Sequence, residues 1–350
     1  MKAAIFHGPR DIRIEEIERP KAGDDGIVVR VKAAGICGSD LHPYVGSGLP
    51  REKIARGHEN AGEVVEVGAN VKDLKIGDRV WVEAVLPCFE CDWCKQGGYR
   101  TNYFRCRNVK AGGIGGLHGG FAEYLWVPLV VLPEEGTDNL PSVIKLPDSM
   151  SFQDGALIEP MTVGAGAVKY AQPTTDDIAV VLGAGIIGLG TVLQLKAHNV
   201  ARVIATDISA KRLQAARELG ADLTLNPSDD DLVKRIMQET SGRGADIVVE
   251  TAGKPDTLRQ SISLVRRAGK IMLVGLYEES VEINANLLVL KAIRTIGCID
   301  AHFLESFEIM QAGMLKDKQV VTHTFPLDKI TEAFETAIDT QESIKVMIEP

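Results

Sequence analysis

Two textures of apolar and polar positions divide the chain. Up to about residue 150, short Val-rich runs broken by Gly, such as Ile27-Val28-Val29-Arg30-Val31 and Gly62-Glu63-Val64-Val65-Glu66-Val67-Gly68, read as strands of an antiparallel, β-rich domain with long loops. From about Ser151 longer helical stretches alternate with compact apolar runs, the pattern of βαβ units. The predicted parallel strands are 178–182, 202–206, 221–225, 246–250, 270–274 and 295–299, with helices such as 209–219 and 229–240 between them. Six strands with intervening helices make a doubly wound parallel sheet of the dinucleotide-binding type. After the sixth strand, 325–334 restarts a helical period, so the tail is expected to return to the first domain. The expected class is therefore α/β: a β-rich domain over 1–155, completed by 300–350, and a Rossmann domain over 156–299.

Length and composition agree with two soluble domains. At 350 residues the chain exceeds one ordinary core. Hydrophobic residues make up 45% and charged residues 25%, without the uncharged apolar run of about 18 residues that a membrane span needs. The N-terminal Met1-Lys2-Ala3-Ala4-Ile5-Phe6-His7-Gly8 lacks a leader-peptide pattern, so a cytoplasmic location and reduced cysteines are expected. A net charge of −9 with interspersed signs argues against a nucleic-acid partner and for small-molecule chemistry.

Val180-Val181-Leu182-Gly183-Ala184-Gly185-Ile186-Ile187-Gly188 follows an apolar run and opens a helix, the context that gives a Gly-x-Gly-x-x-Gly match its meaning. Gly183 permits the tight turn, Gly185 lets backbone approach a pyrophosphate, Ile187 opens the helix, and Gly188 lets that helix pack on the strand. Phosphate then sits at the helix N-terminus. Asp207 follows the second strand, where a carboxylate can accept from ribose hydroxyls, implying NAD rather than NADP. Lys211 and Arg212 lie close enough to offset part of the repulsion toward a ribose phosphate.

Five cysteines suggest two different metal sites. Cys88, Cys91, Cys94 and Cys106 could make a closed four-thiolate shell for structural zinc. Iron–sulfur ligation and a disulfide framework are the competing readings; the usual iron–sulfur spacing has its fourth cysteine sooner and before Pro, whereas Cys106 precedes Arg107. Cys37, His58 and Glu59 offer thiolate, imidazole and carboxylate, the mixed set of a catalytic zinc, and Glu159 is a further candidate ligand. Asp40 is placed to accept the second ring N–H of His58. The sixth cysteine, Cys298, lies in an apolar run and reads as a core residue.

These motifs together, Gly-Ile-Cys-Gly-Ser-Asp-Leu-His, Gly57-His58-Glu59, Glu159-Pro160 and the glycine loop, resemble zinc-dependent medium-chain dehydrogenases of the alcohol dehydrogenase superfamily over nearly the whole chain. The sorbitol, threonine and 2,3-butanediol dehydrogenase branch is the most similar in appearance. The resemblance implies a GroES-like catalytic domain formed by the first part and the tail, with the NAD domain inserted. It implies that Cys37 and His58 bind catalytic zinc, that Glu59 and Glu159 exchange with water or substrate, and that Ser39 and His42 relay a proton. It also implies a homodimer or homotetramer. The chain departs from the family pattern in one place: the fourth cysteine usually falls at the position of Asn102, so Cys106 requires a four-residue insertion within 98–105. Closing the longer loop costs well under about 1 kcal/mol. The expected activity is interconversion of a secondary alcohol or polyol with its ketone, using NAD and zinc. A threonine-type 3-hydroxy amino acid dehydrogenase is one alternative, and a non-catalytic NAD-binding redox sensor with structural zinc is another. Substrate selection is expected from loops around Tyr44, 117–121 and 301–303.

Overall fold

The computed structural model describes the chain except residues 48–52, 84, 87, 89, 97–105, 109, 115, 129–142 and 300–302. The insertion within 98–105 and most of the expected pocket loop at 301–303 therefore lie outside the described residues. The chain forms two compact units. The first contains 1–159, 307–339 and 345–350, and the second contains 160–306 and 340–344.

The first unit is built on a seven-stranded sheet in the order Val143–Lys145, Arg79–Val82, Glu59–Val67, Gly26–Gly35, Lys345–Glu349 and Val321–Pro326, with Tyr124–Pro128 also pairing with Gly26–Gly35. All its pairs are antiparallel except the last two strands, which run parallel. The Val-rich run recognised in the sequence becomes the central strand Gly26–Gly35, buried along most of its length because other strands flank it and side chains cover it. The C-terminal strand hydrogen-bonds directly to it, matching Met347 with Gly35 and Ile348 with Ala34. Phe334, from the helix Ile330–Ile338, packs between Tyr44 and Phe121 with ring centroids 4.9 and 5.7 Å apart. Tyr44 and Phe121 are both buried in the core of this unit. The hydroxyl of Tyr44 donates to Glu335 at 2.7 Å.

The second unit contains the expected six-stranded parallel sheet. Its order is Leu223–Leu225, Arg202–Thr206, Ile178–Leu182, Ala245–Glu250, Val265–Leu273 and Arg294–Gly297. The order reverses between Ile178–Leu182 and Ala245–Glu250, the switch point where such sheets bind dinucleotides beyond their carboxyl ends. Buried Val180, Leu182, Ile204 and Val248 supply its apolar centre. Predicted and observed limits differ at the ends. The expected helix 229–240 shortens to Leu232–Glu239 because Asp231 caps it, accepting from the Lys234 N–H at 3.1 Å. The tail at 325–334 is mixed, with the end of the strand Val321–Pro326, a short 3₁₀ turn at Leu327–Lys329 and the start of the helix Ile330–Ile338. No helix among the described residues is long and apolar enough to cross a membrane.

Candidate active site and metal centres

Cys37 directly precedes the short helix Gly38–Tyr44, which carries Ser39, Asp40 and His42. The strand Glu59–Val67 brings Glu59, preceded by His58. Ligand atoms of Cys37, His58 and Glu59 all lie within 4.8 Å of one another. His58 and Glu59 are buried and Cys37 is half-buried. Glu159, at the start of the helix Ile158–Ala171, lies outside that tight group, although its charge interacts with His58, Glu59 and Cys37. Burial pushes its carboxyl pKa well up; His58 opposes the rise, while Glu59, Cys37 and Glu83 add to it. The Cys37 thiol is pushed up to about 11, first by burial and then by Glu59.

Asp40 does not make the contact expected of it. Its Oδ2 lies 3.9 Å from His58 Nδ1, too long for a hydrogen bond. Its two oxygens are used elsewhere: Oδ1 accepts from Arg56 Nε at 3.0 Å and Oδ2 from the Cys37 backbone N–H at 3.1 Å. Asp40 thus neutralises a buried arginine and ties down the start of the helix that presents Ser39 and His42. His58 Nδ1 and Ser39 Oγ are buried with no hydrogen-bond partner among the described residues.

The residue that sequence reading missed is Lys345. Its ammonium donates to both Glu59 oxygens at 2.7 Å and to the Ile36 carbonyl at 2.9 Å. Lys345 and Glu59 are 2% and 0% exposed, so this pair is closed off from water. Burial lowers the lysine's pKa, but Glu59 and then Cys37 reverse that and hold it above the ordinary value. The one signal in the sequence was a lysine inside the otherwise apolar run Ile344-Lys345-Val346-Met347-Ile348.

The second cluster closes around Cys106. The four Sγ atoms of Cys88, Cys91, Cys94 and Cys106 lie within 4.8 Å of one another. Tetrahedral zinc with Zn–S of about 2.3 Å sets its sulfurs about 3.8 Å apart, so the four thiols fit one ion. Cys91 precedes the short helix Asp92–Lys95, which carries Cys94. Backbone N–H groups of Arg107 and then Cys94 lower the Cys91 thiol to about 6, favouring the thiolate that binds metal. The thiolate–imidazole–carboxylate set around Cys37 likewise fits zinc, with His58 and the carboxylates offering nitrogen and oxygen donors. None of the six cysteines is joined in a disulfide.

The glycine loop has the backbone that dinucleotide binding needs. Gly183 has φ of +97°, and a Cβ at Gly188 would fall 1.9 Å from the Gly183 carbonyl oxygen. The helix Ile186–Ala197 follows directly, with Gly185 as its cap and Ile187 in its first turn. Asp207 Oδ2 accepts from the Ala184 N–H and Oδ1 from the Ser209 N–H, each at 2.8 Å. One carboxylate therefore joins the glycine loop to the turn after the second strand. Arg212 lies 3.9 Å from Asp207, and its Nε and Nη2 donate to the Ser343 carbonyl at 3.0 and 2.8 Å. Lys211 pairs with Glu342 at 2.7 Å.

Residues 23–134 match the family described as alcohol dehydrogenase GroES-like domain, and residues 187–313 that described as zinc-binding dehydrogenase. Sorbitol dehydrogenase of Bacillus subtilis is 33% identical, the alignment covering 100% of this chain and 97% of the relative. (R,R)-butanediol dehydrogenase of the same organism is 36% identical with both chains fully covered. L-threonine 3-dehydrogenase of Pyrococcus abyssi is 34% identical over 91% of this chain and 90% of its own. A zinc-binding dehydrogenase from Sinorhizobium meliloti bound to NADP superposes with a TM-score of 0.88 at 28% identity, covering 100% of this chain and 99% of that one. An alcohol dehydrogenase from E. coli complexed with NADH gives 0.85 at 29% identity, with the same coverage.

Replacing Lys345 with Met leaves Glu59 buried without its cation. The expected cost is about 3–5 kcal/mol, read from denaturant unfolding of the metal-free protein. Glu59→Gln added to Lys345→Met is expected to recover part of that loss, and two strictly additive effects would contradict the pairing.

Proposed function

The chain belongs to the zinc-dependent medium-chain dehydrogenases of the alcohol dehydrogenase superfamily, and on that premise we propose that it interconverts a secondary alcohol or polyol with its ketone, using NAD. The observation that carries this reading is the convergence of Cys37, His58 and Glu59 within 4.8 Å, in one chain with a glycine loop tied to Asp207. A non-catalytic sensor has no use for the mixed donor set or for a buried hydroxyl beside it.

Cys37 and His58 hold zinc in this reading, with Glu59 and Glu159 as exchanging ligands; the ion supplies Lewis-acid polarisation of an alcohol oxygen and the nicotinamide supplies the hydride acceptor. The side chains do the rest. Ser39 Oγ, buried without a partner among the described residues, relays the alcohol's proton, accepting it on oxygen as its own hydroxyl proton passes on toward His42. His42 stands three residues along the same helix, hence on a neighbouring face, and passes that proton toward solvent. Lys345 holds Glu59 so that its charge does not oppose the anionic Cys37. The four-cysteine cluster holds a structural zinc that fixes the loop from Cys88 to Cys106.

Preference for NAD follows from charge. A carboxylate about 4 Å from a ribose phosphate costs on the order of 4 kcal/mol at an intermediate dielectric. Of the cations that could offset it, Lys211 is paired with Glu342.

Self-association is supported by the last strand of the parallel sheet. Arg294–Gly297 is an edge strand with little burial, and the preceding helix Ala285–Lys291 buries none of its residues. Leu276, Val289 and Leu290 are 60, 76 and 66% exposed, and the outer side of Arg294–Gly297 pairs with no strand among the described residues. A second copy pairing there covers both.

Three outcomes are expected. With a panel of secondary alcohols, polyols, phosphorylated polyols and threonine, NADH forms from at least one secondary alcohol or polyol and about two zinc are found per chain; a hundred-fold preference for NADPH, or iron with acid-labile sulfide, would overturn the assignments. His42→Ala slows alcohol oxidation most at low pH, where solvent base is scarce, and an unchanged pH profile counts against the relay. Sedimentation equilibrium gives two or four chains, and Val289→Asp with Leu290→Asp lowers the mass; a wild-type monomer refutes the interface.

A further inference from the structure

Glu250, the last residue of the strand Ala245–Glu250, is a fully buried carboxylate that the chemistry above does not use. No ion pair to it is found among the described residues. Its oxygens are instead filled by hydrogen-bond donors from two separate loops. Oε1 accepts from the backbone N–H groups of Ala252 and Gly253, both at 2.9 Å, and from the Thr257 hydroxyl at 2.7 Å. Oε2 accepts from the Tyr277 hydroxyl at 2.6 Å. The carbonyl of the same residue accepts from Val274 and Gly275 N–H at 2.9 and 3.0 Å. The two loops touch closely, since a Cβ on Gly253 would lie 2.4 Å from the Leu276 carbonyl and one on Gly275 would lie 2.3 Å from Gly253 N.

The position of this knot gives it meaning. A dinucleotide lies across the carboxyl ends of the strands, one nucleotide on each side of the switch point. Asp207 marks the adenosine side, beyond Arg202–Thr206. The loops after Ala245–Glu250 and Val265–Leu273 are therefore on the nicotinamide side. A buried carboxylate is costly, and an apolar core residue could fill the same volume, so its retention calls for a task that needs several acceptors in one place.

We propose that Glu250, locked by Tyr277, is a positioning residue that fixes the loops 251–254 and 274–277 as a preformed platform for the nicotinamide half of the cofactor. Tyr277 acts through Glu250: its hydroxyl ties the second loop to the first, and its phenol pKa is raised by burial and by the carboxylate it faces. The platform rests on the NAD reading given above. It sets cofactor affinity and leaves the proton chemistry at Ser39 and His42 untouched.

The test is NADH binding by fluorescence titration of the purified zinc-loaded protein, with amide hydrogen exchange of Ala252 and Gly253 measured without added cofactor. Losing a hydrogen bond to a charged group is expected to weaken NADH binding about tenfold in Tyr277→Phe, and by more in Glu250→Ala. Both variants raise KM for NAD, and Glu250→Ala speeds exchange at the two amides. Glu250→Gln keeps the acceptor for both amides and restores affinity to within about threefold. Tyr277 is only half-buried, so its variant carries the test if Glu250→Ala does not fold. Wild-type protein that binds neither NADH nor NADPH overturns the cofactor reading and this proposal with it. Wild-type NADH binding with unaltered affinity in Tyr277→Phe and Glu250→Ala overturns the proposal alone.

Discussion

Lys345 and Glu59 form a charge pair from which water is excluded, and the geometry of the candidate catalytic centre depends on it. Cys37, Glu59 and Glu159 bring three acidic groups close to a single imidazole, and burial raises the pKa of both Cys37 and Glu159. A cation inside the cluster donates to both Glu59 oxygens, and its third hydrogen bond, to the Ile36 carbonyl, fixes the backbone just before Cys37. Lys345 reaches this place because it opens the strand that pairs with Gly26–Gly35, so the end of the chain is hydrogen-bonded to the same strand that leads into Cys37. A buried pair is weak support for net stability, since its desolvation nearly cancels its attraction, but it is a strong determinant of which side chains can occupy the site.

The two metal clusters solve different problems with related ligands. Around Cys91, backbone N–H groups lower a thiol to about 6 before any ion arrives, which suits a loop that must capture metal to hold its shape. Around Cys37, burial and a neighbouring carboxylate raise the thiol to about 11, so metal entry must displace a proton and the thiolate gains most of its stability from the ion itself. The first environment is made by local turns, and the second by residues from distant parts of the sequence.

That difference explains what could be read from the chain. The parallel strands Ile178–Leu182 and Arg202–Thr206 were legible to the residue because compact apolar runs between turn signals admit few alternatives, and the glycine loop was legible because its function constrains backbone rather than side chains. The convergence of Cys106 with Cys88, Cys91 and Cys94 followed from counting thiols. Partnerships across the fold were not legible. Asp40 faces His58 but is taken by Arg56 and the Cys37 amide, and a sequence does not reveal which of two nearby donors reaches a carboxylate first. Tyr44 follows Cys37 by seven positions yet packs into the core against Phe334, a contact made by a residue from near the end of the chain. Lys345 lay almost at the end of the chain, where the pairing register of a single strand decides which residue it meets.

Acidic residues at the ends of the parallel strands share one physical role. Asp207 follows Arg202–Thr206 and accepts from the Ala184 and Ser209 N–H groups; Glu250 ends Ala245–Glu250 and accepts from Ala252 and Gly253. In each half of the sheet a carboxylate gathers the free N–H groups of the loop where the strand stops, groups that the sheet itself cannot satisfy. Their surroundings then separate them. Asp207 keeps 9% exposure and a nearby arginine, so its remaining lone pairs can face a ribose, whereas Glu250 is sealed and spends its acceptors on protein donors. In the proposed cofactor reading, the same local solution yields a recognition group on one side of the switch point and a scaffold on the other. That asymmetry matches the demands of a dinucleotide, whose adenosine is identified by its hydroxyls and whose nicotinamide must be held still for hydride transfer.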